Sequence, residues 1–334
     1  MSQLHQAEVE VSVLIQFFNR PQMLKKVFEQ VKKARPSKLF LYQDGPREGR
    51  QGDVENIQAC RAVVEAIEWE CEVHKLYQEK NLGCDPSGYM SRKWAFSLTD
   101  KCIILEDDVL VSISFFRFAK ELLDRYENDE RITMIAGMNH EEITTRIDGD
   151  YFFTSNISIW GWATWKRVIN RQEADYRFLD NDIAVSLLKN LIKTRGYRND
   201  YFDLFYKHKS ENKPYFETVL ISDMLLNSGL SIVPAKNMCL NIGNVVDSTH
   251  FTGDDRYEAE EYKKLFTMKC HEVEFPLKHP DYVIENVHYI KRVYRIMCWN
   301  LSKREKAARV IRRMLRRVMN GDFNGIVNAV RRRL

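Results

Sequence analysis

The chain has no run of about 20 apolar residues, the length a membrane-spanning helix requires. Residues 1–10 are polar and acidic and hold no apolar signal-peptide core, so no export signal is expected there. The cysteines number seven, at 60, 71, 84, 102, 239, 270 and 298, and none falls in a CxxC pair. An odd, scattered set argues against a disulfide framework and against a zinc site, and a reducing cytoplasm is the expected compartment. No glycine-rich phosphate loop lies near the N-terminus, and no internal repeat or low-complexity linker interrupts the chain before its basic tail.

What is present suffices for a large core. Hydrophobic residues make up 44% of the 334 and aromatics 12%, while the 29% of charged residues is ordinary for a water-facing surface. The net charge of +4 hides an asymmetry. Residues 303–334 carry eleven Lys or Arg against Glu305 and Asp322, a balance of +9, which leaves 4 − 9 = −5 for the rest.

Alternation of short apolar runs with helical periodicity dominates the first third. Residues 9–18, 38–43, 71–77 and 102–105 read as strands. Between them, Leu24, Val27, Phe28 and Val31 recur at helical spacing, and 54–67 and 86–98 also suit helices. This order predicts a doubly wound, mostly parallel α/β sheet. Each strand is followed by a polar signature: Asn19-Arg20-Pro21, Asp44-Gly45, Asn81-Leu82-Gly83, and Glu106-Asp107-Asp108. Ligands of open α/β sheets bind at the carboxyl ends of the strands, so these signatures are expected to converge on one edge. Further on, 115–126 is expected to be a helix and 133–137 a strand. Residues 151–165 are aromatic-rich, 180–209 polar and helical, 216–227 helical, and 230–233 a strand.

The acidic triple is the most informative feature. Three adjacent carboxylates repel one another unless a cation or hydrogen-bond donors compensate. A divalent cation that also binds phosphate oxygens would do so. Standing alone, the triple reads as an exposed acidic turn after a strand. It stands instead among several other motifs in order.

The run VSVLIQFFNRP, then LFLYQDGPR, EKNLGC, IILEDDV, SIWGWATWKR and NSGLSIVP…NIGN…STHF, resembles the GT-A-fold nucleotide-sugar glycosyltransferases. The EDD triple is similar to that of the N-acetylglucosaminyltransferase I branch and of bacterial polysaccharide enzymes. The resemblance spans roughly residues 9–255. It implies a Rossmann-like GT-A catalytic domain over 1–275, with a nucleotide-binding part at about 9–112 and an acceptor part at about 113–255. A helical basic extension over 276–334, ending in an amphipathic tail, would follow.

The resemblance also implies roles. Asp108 is expected to ligate Mn²⁺ or Mg²⁺, with Asp107 and Glu106 contacting the ribose or the donor sugar. His250, in a late loop, is the second candidate ligand; otherwise it is a loop histidine. Asp44, Arg20, Asn81 and Arg92 are candidates for the nucleotide face, Asp44 toward base or ribose and Arg20 toward phosphate. Asp44-Gly45 also reads as a plain turn, and the two arginines as solvated charges. Trp160, Gly161 and Trp162 are expected beside the donor sugar, or else in an ordinary aromatic cluster. Glu217 is the candidate base that takes the acceptor proton and Asp223 the reserve; the relatives carry Asp between Trp residues where this chain has Phe216-Glu217.

The implied activity is an inverting hexosyltransferase moving a sugar, by default from a UDP-sugar, to a glycan or lipid-linked acceptor. A sugar-nucleotide nucleotidyltransferase and a non-catalytic carbohydrate-binding scaffold are the competing readings. In the tail, Val310, Ile311, Met314, Leu315 and Val318 form an apolar stripe among Arg309, Arg312, Arg313, Arg316 and Arg317. That pattern predicts an interfacial helix at the inner face of an anionic membrane. The aromatic interleaving of single-strand nucleic-acid binders is missing, so no nucleic-acid partner is expected.

Overall fold

The computed structural model describes residues 4–243 and 260–319. The chain begins with β1 (Val9–Phe17), α1 (Pro21–Ala34), β2 (Pro36–Gln43), α2 (Gln51–Val64), β3 (Glu72–Tyr77), α3 (Cys84–Leu98) and β4 (Lys101–Glu106). It continues through β5 (Val109–Val111), α4 (Ser114–Arg125), β6 (Ile132–Ala136), β7 (Tyr151–Thr154), β8 (Trp162–Trp165), α5 (Lys166–Arg171), α6 (Asp182–Leu191), α7 (Arg195–Glu211) and α8 (Phe216–Leu226). The last described elements are β9 (Leu230–Pro234), β10 (Cys239–Asn241), α9 (Glu260–Lys264), α10 (Val287–Ile296) and α11 (Lys303–Met319).

Eight strands form one sheet in the order β3-β2-β1-β4-β8-β6-β9-β7. The pairs β2–β3, β1–β2, β1–β4 and β6–β9 are parallel; β4–β8, β6–β8 and β7–β9 are antiparallel. The α/β expectation holds, with a Rossmann-like parallel half. The near-continuous apolar runs follow from burial on both sheet faces. In β1, Val13, Ile15 and Phe17 join the cluster containing Leu24, Phe28, Cys60 and Phe116, from α1, α2 and α4. Leu14 points the other way, among Phe96, Ile169 and Leu220 of α3, α5 and α8.

The topology places a ligand crevice. From β1 the chain steps outward to β2 and β3, then α3 carries it back to β4 on the other side of β1. The carboxyl ends of β1 and β4 therefore flank a topological switch point, the usual ligand position in such sheets.

Two features depart from the expected layout. The polar stretch 180–209 is two helices, with Ile192 leaving α6 in extended conformation and α7 restarting at Arg195. Asn181 caps α6 by accepting from the backbone N–H groups of Ile183 and Ala184. The body also runs past the expected boundary at 275/276. Tyr289 and Val293 of α10 are fully buried beside Phe152 and Val233, and Leu277 joins the main core. An appendage begins only near α11. Among the described residues, no helix is long and apolar enough to cross a membrane.

Candidate active site

Glu106 closes β4, paired in register with Gln16 of β1, and Asp107 and Asp108 follow in the turn to β5. Both aspartates are buried, at 2% and 7% exposure. Their charge is met from the β1 side. The Arg20 guanidinium forks across them, Nη1 donating to Asp108 Oδ2 at 2.8 Å and Nη2 to Asp107 Oδ1. The Phe18 backbone N–H adds a bond to Asp107 Oδ2 at 3.1 Å. Arg20 stands at the turn before Pro21, whose ring starts α1 where no N–H is needed.

Compensation is incomplete. Burial, then the neighbouring Asp108 and Asp107 charges, push the Glu106 carboxyl well above the usual range. Burial pushes Asp107 up to about 6, although Arg20 pulls it back. Asp108 Oδ1 is buried and has no hydrogen-bond partner among the described residues. Such an orphaned acceptor is costly unless a donor or cation fills its place.

The ribbon of β5 and β10 closes over this turn. Asn241 pairs with Val109, the Ile242 N–H donates to the Asp108 carbonyl at 2.8 Å, and Gly243 lies directly against the Asp108 carboxylate. A Cβ at 243 would overlap that carboxylate. Sequence reading missed this ribbon because each strand has only three residues. His250 lies outside the described residues.

Arg92 of α3 is 4% exposed and sits over the Phe216 ring at 4.1 Å and the Trp162 ring at 5.8 Å. Among the described residues, no carboxylate lies within ion-pair distance of it. Burial lowers it to about 10, with the Glu106 charge opposing. A guanidinium so buried needs an anion more than the two rings supply. Arg92 thus connects the acids to the N-terminus of α8, where Phe216 and Glu217 stand. Glu217 is exposed in the first turn of that helix.

Other candidates are placed differently. Asp44 is saturated: its carboxylate accepts from the backbone N–H groups of Gly45, Leu82 and Gly83 and from Asn81 Nδ2, all within 2.9–3.0 Å. Asp44 and Asn81 therefore tie the β2 end to the loop entering α3. Asp223 lies six residues beyond Glu217, about 9 Å along the helix at 1.5 Å per residue. Both its oxygens are held by Arg171, and Arg171 also reaches Thr133 at the start of β6. That is the amino edge of the strands parallel to β4, opposite the acids.

The tryptophan run divides between roles. Trp165 is buried and donates to the Leu123 carbonyl at 2.9 Å. Trp160 packs on Phe266 at 5.2 Å. Trp162 faces Arg92. Gly161, at φ 58°, occupies the left-handed region, and a Cβ there would meet Val111 Cγ1 at 2.7 Å. Its space is filled by β5.

One network went unseen in the sequence. Asp53, in the first turn of α2, accepts from Arg47 Nε at 2.8 Å, Arg47 Nη2 at 2.7 Å and Asn19 Nδ2 at 2.7 Å. The Arg47 fork first, aided by Asn19, lowers Asp53 to about 2. This fixes Asn19, and with it the turn that carries Arg20.

A hard cation fits these residues. The orphaned Asp108 oxygen is of the right type, and one carboxylate suffices when phosphates and waters complete the coordination. Among the described residues, no group of three or more His, Cys, Asp or Glu is arranged to hold a metal alone.

Comparison with protein-family models and with curated proteins gives no match. Among solved structures, the chain is similar to an inositol-1-phosphate CTP transferase from T. maritima. The identity is 12% over 50% of this chain and 75% of that one, with a TM-score of 0.30. A superposition that loose supports neither a fold nor a function for this chain.

Proposed function

We propose that the chain is a cation-assisted glycosyltransferase that moves a sugar from a nucleoside diphosphate sugar to a glycan or lipid-linked acceptor. The observation that carries the proposal is the buried Asp107–Asp108 pair at the switch point, with Asp108 Oδ1 unpartnered among the described residues. An α/β crevice with surplus buried acid and two arginines beside it suits a ligand that brings both a cation and phosphates.

Asp108 would hold Mn²⁺ or Mg²⁺, with His250 as the second proposed ligand. The bound cation supplies neutralisation of the charge that develops on the leaving diphosphate. Arg20, already at the acids, and Arg92, buried with no acid partner among the described residues, offer the remaining positive charge to phosphate oxygens. Trp162 and Phe216 exclude water around Arg92, which strengthens its attraction for an anion.

Glu217 is the proposed base, since a sugar hydroxyl needs one as it attacks. The acceptor oxygen bonds to the anomeric carbon as the bond to the diphosphate breaks. The hydroxyl proton passes to Glu217, and the nucleoside diphosphate leaves with the bonding electron pair. A single displacement inverts the anomeric centre. Nucleotidyl transfer is less well supported, because β1 leads into Phe18-Asn19-Arg20-Pro21 with no glycine to cradle a triphosphate. UDP-sugars are the first donors to try, and α11 is the proposed contact with an anionic membrane carrying the acceptor.

The test is a screen of sugar nucleotides for nucleoside diphosphate release, run with Mn²⁺ and with chelator on the wild type and on Asp108→Asn. Release by the wild type with Mn²⁺ alone, lost in the variant, is expected. Equal release in chelator would overturn the cation's role.

A further inference from the structure

Helix α6 carries two apolar faces. Val185 and Leu188, continued by Ile192, are buried among Tyr176, Phe178 and Phe205. On the other side, Ile183, Leu187 and Leu191 recur every four residues and are 72%, 64% and 51% exposed. They form a stripe about 12 Å long at 1.5 Å per residue. A single exposed leucine is ordinary, but a contiguous apolar row is not.

Past Asp182 at the first position of α6, the charge beside this row is of one sign. Residues 183–199 contain Lys189, Lys193, Arg195 and Arg198 and no acid. Lys189, Lys193 and Arg195 are exposed, and Arg198 donates to the carbonyls of Lys189 and Ile192, fastening the end of α6 to α7.

The same corner launches α11. Gly196 lies against the Trp299 backbone so closely that a Cβ there would overlap it. The Trp299 ring packs on Tyr197 at 4.9 Å and on Tyr201 at 5.7 Å, and its Nε1 donates to Asp200 at 2.9 Å. Four residues later α11 begins. Along α11, Ile311, Leu315 and Val318 are 58%, 56% and 49% exposed. Two helices with uncovered apolar rows in basic surroundings therefore spring from one junction.

We propose that α6 and α11 form one composite face that docks on an anionic lipid bilayer, α6 inserting Ile183, Leu187 and Leu191 while its lysines and Arg195 meet the headgroups. Apolar rows rimmed by Lys and Arg are the chemistry of an interfacial helix. Two such rows add their buried apolar area and headgroup attraction and fix the body's orientation on the surface. The inference extends the membrane contact already proposed for α11 and does not depend on sugar transfer.

The test is hydrogen–deuterium exchange on the full chain with phosphatidylglycerol–phosphatidylcholine vesicles and with phosphatidylcholine vesicles alone. Peptides covering 182–195 should gain protection with the anionic vesicles only. Flotation should show Ile183→Ser/Leu187→Ser/Leu191→Ser binding weakened about tenfold or more, with the fold checked by melting temperature. A chain ending at Ser302 should retain weaker, α6-dependent binding. Unchanged exchange over 182–195 while the full chain floats would overturn the role of α6 and leave α11 as the sole contact. If the full chain does not float at all, the membrane reading itself fails. If light scattering shows a wild-type dimer that the triple substitution dissociates, the row is covered by a second copy and the proposal is overturned.

Discussion

Replacing Arg20 with methionine removes the fork that faces Asp107 and Asp108 while keeping most of the side-chain volume. The carboxylates are 3% and 9% exposed, so water replaces the lost charge poorly. Breaking a buried ion pair from one side costs about 3–5 kcal/mol. Arg20 itself is 29% exposed, which places this case lower, at roughly 2–3 kcal/mol. For a chain of this size that is a fall of about 3–4 °C in melting temperature. The measurement is thermal unfolding in chelator and across a Mn²⁺ titration. Because a cation at Asp108 neutralises the same acids, Mn²⁺ should restore more stability to Arg20→Met than it adds to the wild type. Arg20→Lys keeps the charge but loses the two-pronged geometry, and should fall between them. A variant that melts with the wild type in chelator would refute this electrostatic reasoning, as would equal Mn²⁺ gains in both proteins.

Two further predictions separate neighbouring roles. Glu217→Gln should leave nucleoside diphosphate affinity intact and cut turnover by about a hundredfold, whereas Asp223→Asn should lower the melting temperature by unpairing Arg171 and leave that affinity unchanged; calorimetry and turnover assays on both would expose a reversed assignment. Asp53 titrates near 2 rather than 3.8 when folded, so its stabilising contribution is complete above about pH 4 and is lost as pH falls through 2. Asp53→Asn should therefore cost roughly 1–2 kcal/mol at pH 7, discounted because Arg47 is half exposed, and the gap to the wild type should narrow on acidification; a pH-independent gap in denaturant unfolding would contradict this.

The first half of the sheet was legible because parallel strands buried on both faces write continuous apolar runs, and each ends in a polar turn. Glu106, Asp107 and Arg20 could be placed on one edge from that pattern. Their mutual pairing could not, since it depends on β1 and β4 being spatial neighbours despite 83 intervening residues between Phe17 and Lys101. The second half was harder. The antiparallel insertion of β8 between β4 and β6 leaves no periodic trace in a run as aromatic as 151–165. Asp44 reads as a nucleotide-face candidate or else as a turn former, and only the four bonds it accepts show how its lone pairs are used. Arg92 reads as a nucleotide-face candidate or else a solvated charge; its burial follows from α3 and α8 packing together. The core role of α10 was hidden because its sequence, Val287–Ile296, alternates basic residues with the tyrosine and valine that it buries.

Identification of the phosphorus-containing product most directly tests sugar transfer at the Asp107–Asp108 turn. Phosphorus NMR would follow the wild type and Asp108→Asn in Mn²⁺, first with a sugar nucleotide and acceptor, then with a nucleoside triphosphate and sugar phosphate. Nucleoside diphosphate formed from the first pair, and lost in the variant, is the predicted result. Pyrophosphate formed from the second pair, with no turnover of the first, would contradict glycosyl transfer and identify the chain as a nucleotidyltransferase.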